Sequence, residues 1–324
     1  MQAAAGEMQL QVTSRRREAE DVLSLRLADP HGARLPGFTP GAHIALRLGE
    51  GLVRQYSLCN GPGEEGAYLI AVKREAQSRG GSAAVHRLAQ GDVIAATSPV
   101  NAFEVDWSAP HLVLLAGGIG ITPLLSMARH AVQRGHSFEL HYFARSSAHA
   151  AFHGLLADGP MAPHVVFHFG VEPAAVSARL DELLSNRPVG SHLYVCGPVP
   201  FMDQARKIAD GCANLSAVHW EYFTPPTPTA EARADSAPCT VLLARSGKTF
   251  EVSADKSILQ VLIENGVVVD SSCMEGVCGL CATRVLEGEP DHRDEVLSDD
   301  ERRCGQLMTV CVSRARGGLL VLDL

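Results

Sequence analysis

"HLVLLAGGIGITPLLSMARHAVQRG", residues 111–135, decides how the middle of the chain folds. It opens as an apolar run, breaks at Gly117, Gly118 and Gly120, and resumes with helical spacing up to Gly135. A short run that is apolar at every position reads as a strand buried on both faces, as in a parallel sheet. The glycines and Pro123 interrupt it well before the ~18 apolar residues that a membrane span requires. The alternation continues downstream: strand "SFELHYFA", helix "AAFHGLLAD" (150–158), strand "HVVFHFG", helix "VSARLDELLS" (176–185), strand "HLYVCG" and helix "VPFMDQARKIADG". This pattern predicts an open, parallel, Rossmann-like α/β domain over residues 107–225.

Residues 1–106 read differently. "HIALRL", "RQYSLC", "GAYLIAV" and "GDVIAAT" are short strands divided by Gly, Pro and Asn, with one helix expected after the glycines of "SRGGSAAVHRLAQG". Short strands at this spacing suggest an antiparallel β-barrel. On the other side, residues 226–237 are rich in Pro, Ala and Thr and read as a linker. The last segment, 238–324, opens with two strands and the helix "SILQVLIENG". It holds nine Lys and Arg against fourteen Asp and Glu, and so carries most of the chain's net charge of −8. That acidity argues against nucleic acid or an anionic membrane as partner and suits a partner with a basic face. The start, "MQAAAGEMQLQVTSRRR", has no basic segment leading into an apolar run, so a cytoplasmic protein is expected.

Nine cysteines are present, five of them in the last 52 residues. The odd count and uneven spacing disfavour a disulfide framework. In "SSCMEGVCGLC" (271–281), Cys273 and Cys278 enclose four residues, Cys278 and Cys281 enclose two, and Cys311 follows after 29 more. This is the plant-type C-x4-C-x2-C…C spacing of a 2Fe–2S cluster. A tight loop must aim thiolates inward and turn backbone N–H groups toward the sulfurs, which Gly276 and Gly279 permit. Structural zinc more often takes two separated C-x2-4-C pairs. Cys304 competes with Cys311 as fourth ligand. Cys311 is the expected one, because "LMTVCVS" is a β-like apolar run whereas "DDERRCGQ" is polar and exposed in character.

An electron source for such a cluster should lie upstream. The glycine turn after "HLVLLA" lets a pyrophosphate approach the backbone at a helix start, although Thr122 as cap and Pro123 in the first turn also fit a purely structural account. "YVCGPVPFM" (194–202) puts Cys196 at a strand's carboxyl end, where open α/β sheets bind ligands. In "RQYSL" (54–58), Arg54 supplies a fork of donors, Tyr56 an aromatic face and Ser57 a hydroxyl; Arg79, Gly80, Gly81 and Ser82 precede a helix as a second phosphate nest. In "FARSSAHAAF", Arg145 and Ser146 occupy the place where such folds read the ribose; with no acidic group there, NADH and NADPH both stay open.

Together, R-x-Y-S, G-G-x-G-x-T-P, C-G-P-x-x-F-M and the C-terminal C-x4-C-x2-C…C resemble the ferredoxin–NADP reductase superfamily. Their order along the chain resembles the phthalate dioxygenase reductase and vanillate O-demethylase reductase group in particular. The resemblance implies an FMN barrel, an NADH-binding domain and a β-grasp ferredoxin domain. The implied activity carries hydride from NADH to FMN, then single electrons through the 2Fe–2S cluster to a Rieske-type oxygenase acting on an aromatic compound. It implies that Arg54, Tyr56 and Ser57 contact the flavin, that Ala71, Val72 and Lys73 line its edge through the backbone, and that Arg79, Gly81 and Ser82 hold its phosphate. Gly118, Gly120, Ile121 and Thr122 would lie between flavin and nicotinamide, with Cys196, Gly197 and Pro198 opposite and Glu221 and Phe223 near the flavin ring. Thr122, Cys196, Glu221 and Phe223 are thus the residues expected nearest the hydride transfer. Cys273, Cys278, Cys281 and Cys311 are the implied cluster ligands, and the oxygenase is expected to dock near the acidic ferredoxin domain.

Overall fold

The computed structural model describes residues 7–49, 52–64, 66–76, 78, 80–223, 237–269, 271, 274, 276–277 and 279–324. The expected linker therefore lies almost wholly outside the described residues, as do Arg79, Cys273 and Cys278. The chain divides into two compact units, Met1–Tyr222 and Phe223–Leu324.

The first unit opens with six antiparallel strands: β1 (Glu7–Ala19), β2 (Val22–Ala28), β3 (His43–Arg47), β4 (Val53–Ser57), β5 (Tyr68–Lys73) and β6 (Val93–Thr97). Their order is β4-β3-β6-β1-β2-β5. A bridge from Leu58 to Ile70, with the Cys59 N–H donating to Leu69 O at 2.7 Å, brings the end of β4 onto β5 and curls the sheet into a barrel. Inward residues such as Leu10, Leu25, Ile44, Leu46 and Ile70 fill it, and Val85 of α1 (Gly81–Arg87) joins them. The expected barrel is present. Its longest strand, β1, has no apolar signature over Ser14–Glu18, which is polar and mostly exposed; its register against β2 holds it in the sheet instead.

Five parallel strands follow: β7 (Leu112–Gly117), β8 (Phe138–Ala144), β9 (Val165–Phe169), β10 (Ser191–Cys196) and β11 (Leu215–Glu221). They alternate with α2 (Ile121–Arg134), α3 (His153–Asp158), α4 (Pro173–Leu184) and α5 (Val199–Ala209). All six residues of β7 are buried, as its unbroken apolar run requires. The order β11-β10-β7-β8-β9 makes β7 and β10 the pair at which the winding reverses. Two expected details are corrected. The helix over 150–158 begins only at His153, since Phe152 takes a left-handed φ of 61° that helical residues cannot hold. Thr122 is not the cap of α2: Gly120 occupies that position, and Thr122 Oγ1 donates back to Ile119 O at 3.1 Å.

The second unit is a β-grasp of β12 (Cys239–Leu243), β13 (Thr249–Val252), α6 (Ile258–Glu264), β14 (Ala282–Asp291), α7 (Asp299–Cys304), β15 (Leu307–Thr309) and β16 (Arg314–Leu322). The order is β13-β12-β16-β14-β15, with β12 and β16 parallel and the other pairs antiparallel. A capping box between Ser257 and Gln260 starts α6, whose Ile258, Leu259 and Leu262 pack among Val241, Leu243 and Leu320. The polar run around Cys304 forms a helix the apolar pattern did not announce. Its signals are local: a Ser298–Glu301 capping box, acidic residues in the first turn, arginines in the last, and left-handed Gly305 at its end. Among the described residues no helix is long and apolar enough to cross a membrane.

Candidate functional site

The sheet's reversal point is built from bare backbone. The pairing of Cys196 with Ala116 sets Gly197 beside Gly117. A Cβ on Gly197 would lie 3.0 Å from Gly117 Cα, and one on Gly120 only 2.1 Å from the Cys196 carbonyl oxygen. Gly118 has a left-handed φ of 55°. The two turns meet so closely that glycine is required at both, and the Pro198 and Phe201 side chains close against Gly117, with Pro198 Cδ 2.9 Å from where its Cβ would be. This cradle is where a doubly wound sheet takes a nucleotide. Ile121 and Thr122 are buried directly behind it.

Three expected residues converge below this point from three elements. Cys196 ends β10, fully buried, and Glu221 pairs with it from the end of β11. Ser57, at the end of β4, donates its hydroxyl to Glu221 Oε2 at 3.3 Å and so ties the barrel to the parallel sheet. Burial pushes Glu221 up to about 8, against the opposing hydrogen bond from Ser57. Burial first and the Glu221 charge second hold the Cys196 thiol well above its usual range, so it stands there as a neutral thiol. His43, buried on β3, brings Nδ1 to 4.0 Å from Glu221 Oε1. The sequence reading missed His43, whose only signal is a polar residue between Ala42 and Ile44 in an apolar strand.

The expected flavin residues share a second cradle. On β4, Arg54 lies across the start of α1: a Cβ on Gly81 would come within 2.5 Å of Arg54 Cγ and 3.1 Å of Nε. Ser82 Oγ donates to Ser78 Oγ at 3.0 Å and accepts from the Glu75 N–H at 3.1 Å, which orders the loop entering the helix. Burial pushes the Tyr56 phenol up, with Arg54 opposing, so it remains a donor. Ala71, Val72 and Lys73 pair with β2 on one side, and the Val72 carbonyl meets His86 Nε2 at 2.8 Å. At the end of β8, Arg145 is exposed and Ser146 half-buried. Pro198 sits in extended conformation just before α5. Phe223 begins the second unit and is exposed.

In the second unit, β14 and β15 bring two of the four expected ligands together. Ala282 pairs with Thr309, and the Val310 N–H points to Cys281 O at 3.4 Å. Cys281 is 2% exposed and Cys311 is 6% exposed. Cys311 lies not in a strand, as its apolar flanks suggest, but in the turn after β15, which stops at Thr309. Buried Asp294 pins that turn. It accepts from the N–H groups of Val296 and Leu297 at 3.2 and 2.8 Å and from Ser313 Oγ at 3.4 Å, while Thr309 and Ser313 share a 3.1 Å hydroxyl contact. Met274, Gly276 and Gly279 all have left-handed φ, the conformation that turns successive N–H groups to one side of a loop. A Cβ on Gly276 would sit 2.6 Å from Val312 Cγ2. Buried soft thiol donors such as Cys281 and Cys311 fit an iron–sulfur cluster, whereas Cys304 is exposed at the end of α7.

A barrel, a doubly wound sheet with a glycine cradle and a β-grasp with buried cysteines are the parts of a flavin and iron–sulfur oxidoreductase. Residues 9–105 match the family described as oxidoreductase FAD-binding domain, and residues 241–316 the 2Fe-2S iron-sulfur cluster binding domain. A phenoxybenzoate dioxygenase subunit beta from Ectopseudomonas oleovorans is 45% identical, covering 94% of each chain. A vanillate O-demethylase oxidoreductase from Pseudomonas sp. (strain HR199 / DSM 7063) is 41% identical over 97% of this chain and 98% of its own. The solved structure of a phthalate dioxygenase reductase superposes with a TM-score of 0.71 at 40% identity, covering 98% of both chains. In an intact type IV self-sufficient cytochrome P450 monooxygenase the match has a TM-score of 0.87 at 34% identity, and this chain spans 41% of that longer one. The chain belongs to the phthalate dioxygenase reductase and vanillate O-demethylase reductase group, the NAD(P)H-dependent flavin and iron–sulfur reductases of oxygenase systems.

Two measurements test these sites. Folded, Glu221 holds its proton up to about pH 8, against 4.5 for an ordinary glutamate. Its contribution to stability is therefore full below about 4.5 and is lost as pH rises toward 8. Glu221→Gln removes that loss: its melting temperature relative to the wild type should climb across this window, by more than about 5 °C at pH 8. A pH-independent difference would contradict the buried, protonated carboxyl. At the cluster, Cys311→Ser should abolish the visible iron–sulfur absorption, whereas Cys304→Ser should retain it; the reverse pattern would exchange their roles.

Proposed function

We infer that the chain takes reducing equivalents from NADH at FMN and passes them singly through its 2Fe–2S cluster to a Rieske-type oxygenase that hydroxylates or demethylates an aromatic compound. The observation that carries this reading is the meeting of Ser57, Cys196 and Glu221 beneath the Gly117–Gly120 and Cys196–Pro198 turns. Bound together, the flavin accepts a hydride and the cluster accepts electrons one at a time. This chain's residues supply the setting. The glycine turns admit the nicotinamide close to the backbone. Ser57 holds the Glu221 carboxyl, and the neutral Glu221 and Cys196 keep fixed negative charge away from the reacting rings. Thr122 fixes the start of α2 through Ile119, and Phe223 is assigned to the flavin side of the site.

The flavin phosphate is assigned to Arg54, Arg79, Gly81 and Ser82, a set that suits the terminal phosphate of FMN. Tyr56 and the Ala71–Lys73 edge are assigned to the ring. Arg145 and Ser146 are assigned to the nucleotide's ribose. Cys273, Cys278, Cys281 and Cys311 are assigned to the cluster. The proposed domains are 1–106 for flavin, 107–225 for nucleotide, 226–237 as linker and 238–324 for the ferredoxin part. The net acidity of that last part, nine Lys and Arg against fourteen Asp and Glu, suits a basic acceptor surface, and work in the cytoplasm places it where reduced nicotinamide is supplied.

Truncation after residue 226 tests the modular reading. The shortened protein should bind flavin and reduce ferricyanide with NADH at near the full-length rate, while reduction of cytochrome c or a Rieske oxygenase falls at least about a hundredfold. Loss of NADH oxidation itself would contradict it.

A further inference from the structure

The loop after β8 is held from the barrel side by a chain of three side chains. The β1–β2 hairpin turns at Glu20 and Asp21. The Glu20 N–H donates to Ala148 O at 2.8 Å, and Glu20 Oε2 lies 3.0 Å from His149 Nε2. The other ring nitrogen, His149 Nδ1, lies 2.8 Å from Ser146 Oγ. Ser146 begins a 3-10 turn, yet its hydroxyl does not cap that turn.

While the His149 ring is neutral, the chemistry of the three groups sets the direction of each bond. A carboxylate only accepts, so Glu20 draws the imidazole proton to Nε2. On that neutral ring Nδ1 is then an acceptor, and the Ser146 hydroxyl donates to it. Ser146 therefore turns only lone pairs outward. A ribose 2′-hydroxyl can donate to those lone pairs. A 2′-phosphate finds an acceptor where it needs a donor, beside the exposed Arg145 that would otherwise attract it.

We propose that Glu20 and His149 are positioning residues that favour NADH over NADPH, by committing the Ser146 proton to His149 and leaving Ser146 as an acceptor for the ribose 2′-hydroxyl. This rests on the reading of Arg145 and Ser146 as the ribose site. Selectivity then depends on a barrel residue as well as on the nucleotide domain's own loop. Glu20 is half-exposed, and its backbone bond to Ala148 survives loss of its side chain. Glu20→Ala thus changes the polarity of the relay while leaving the loop's anchor in place.

The test measures kcat/KM for NADH and NADPH, with ferricyanide as acceptor, in full-length holoenzyme carrying Glu20→Ala, His149→Ala, Ser146→Ala and Ser146→Ala/His149→Ala. Flavin content and melting temperature confirm folding. Releasing the Ser146 proton should raise the NADPH/NADH efficiency ratio about five- to tenfold in the first two variants, through KM, the size expected of one exchanged hydrogen bond. The double variant should match Ser146→Ala. If Ser146→Ala leaves both KM values unchanged, the ribose reading itself fails and the relay with it. If Ser146→Ala raises KM for NADH but Glu20→Ala and His149→Ala move both nucleotides equally, the ribose reading stands and the relay is overturned. Should His149→Ala fail to fold, Glu20→Ala alone decides between these outcomes.

Discussion

Everything in the first unit depends on two turns touching through bare backbone. Gly120 faces the Cys196 carbonyl and Gly197 faces Gly117, at distances that leave no room for a Cβ. The contact follows from topology. Parallel strands that wind out in both directions from β7 must leave a gap over the β7 and β10 ends, since their following helices leave to opposite sides. Glycines let the two turns approach through backbone there, with the Pro198 and Phe201 side chains packed against Gly117. The cost is conformational freedom lost on folding, and Gly118 could be replaced only with strain at its left-handed φ.

Below that contact, burial sets the electrostatics. Among the described residues Glu221 faces a serine hydroxyl and, at 4.0 Å, a buried histidine. A carboxyl so placed takes up a proton instead of remaining a buried charge. The Ser57–Glu221 bond also joins the barrel to the parallel sheet, because each contributes one partner. The ferredoxin part solves a different problem. Left-handed Met274, Gly276 and Gly279 shape the loop before Cys281, and buried Asp294 accepts from the Val296 and Leu297 N–H groups of its own loop and from the Ser313 hydroxyl beside the Cys311 turn.

The parts of the molecule legible in the sequence were those whose physics is local. The β7 run, the glycine turn and Cys-Gly-Pro each state their conformation within a few residues. The parts that stayed hidden depend on distant partners. The polar half of β1 is a strand because β2 pairs with it. Cys311 sits in a turn because β15 ends at Thr309, although its apolar neighbours have β character. Asp294 and Glu20 look like ordinary surface acids in the sequence, and only the folded chain sets one beneath Ser313 and the other against His149. Thr122 had the chemistry of a cap, but the glycine turn supplied the capping position first.

The central claim, that the Gly120–Cys196 approach creates the nicotinamide's place, is tested most directly by Gly120→Ala in holoenzyme. A methyl group there must displace the Cys196 carbonyl. Rapid-mixing measurement of anaerobic flavin reduction by NADH should show a rate at least about a hundredfold lower, the scale expected when a reacting group is displaced by about 1 Å, with flavin content and iron–sulfur absorption retained. Flavin reduction at the wild-type rate would contradict the account.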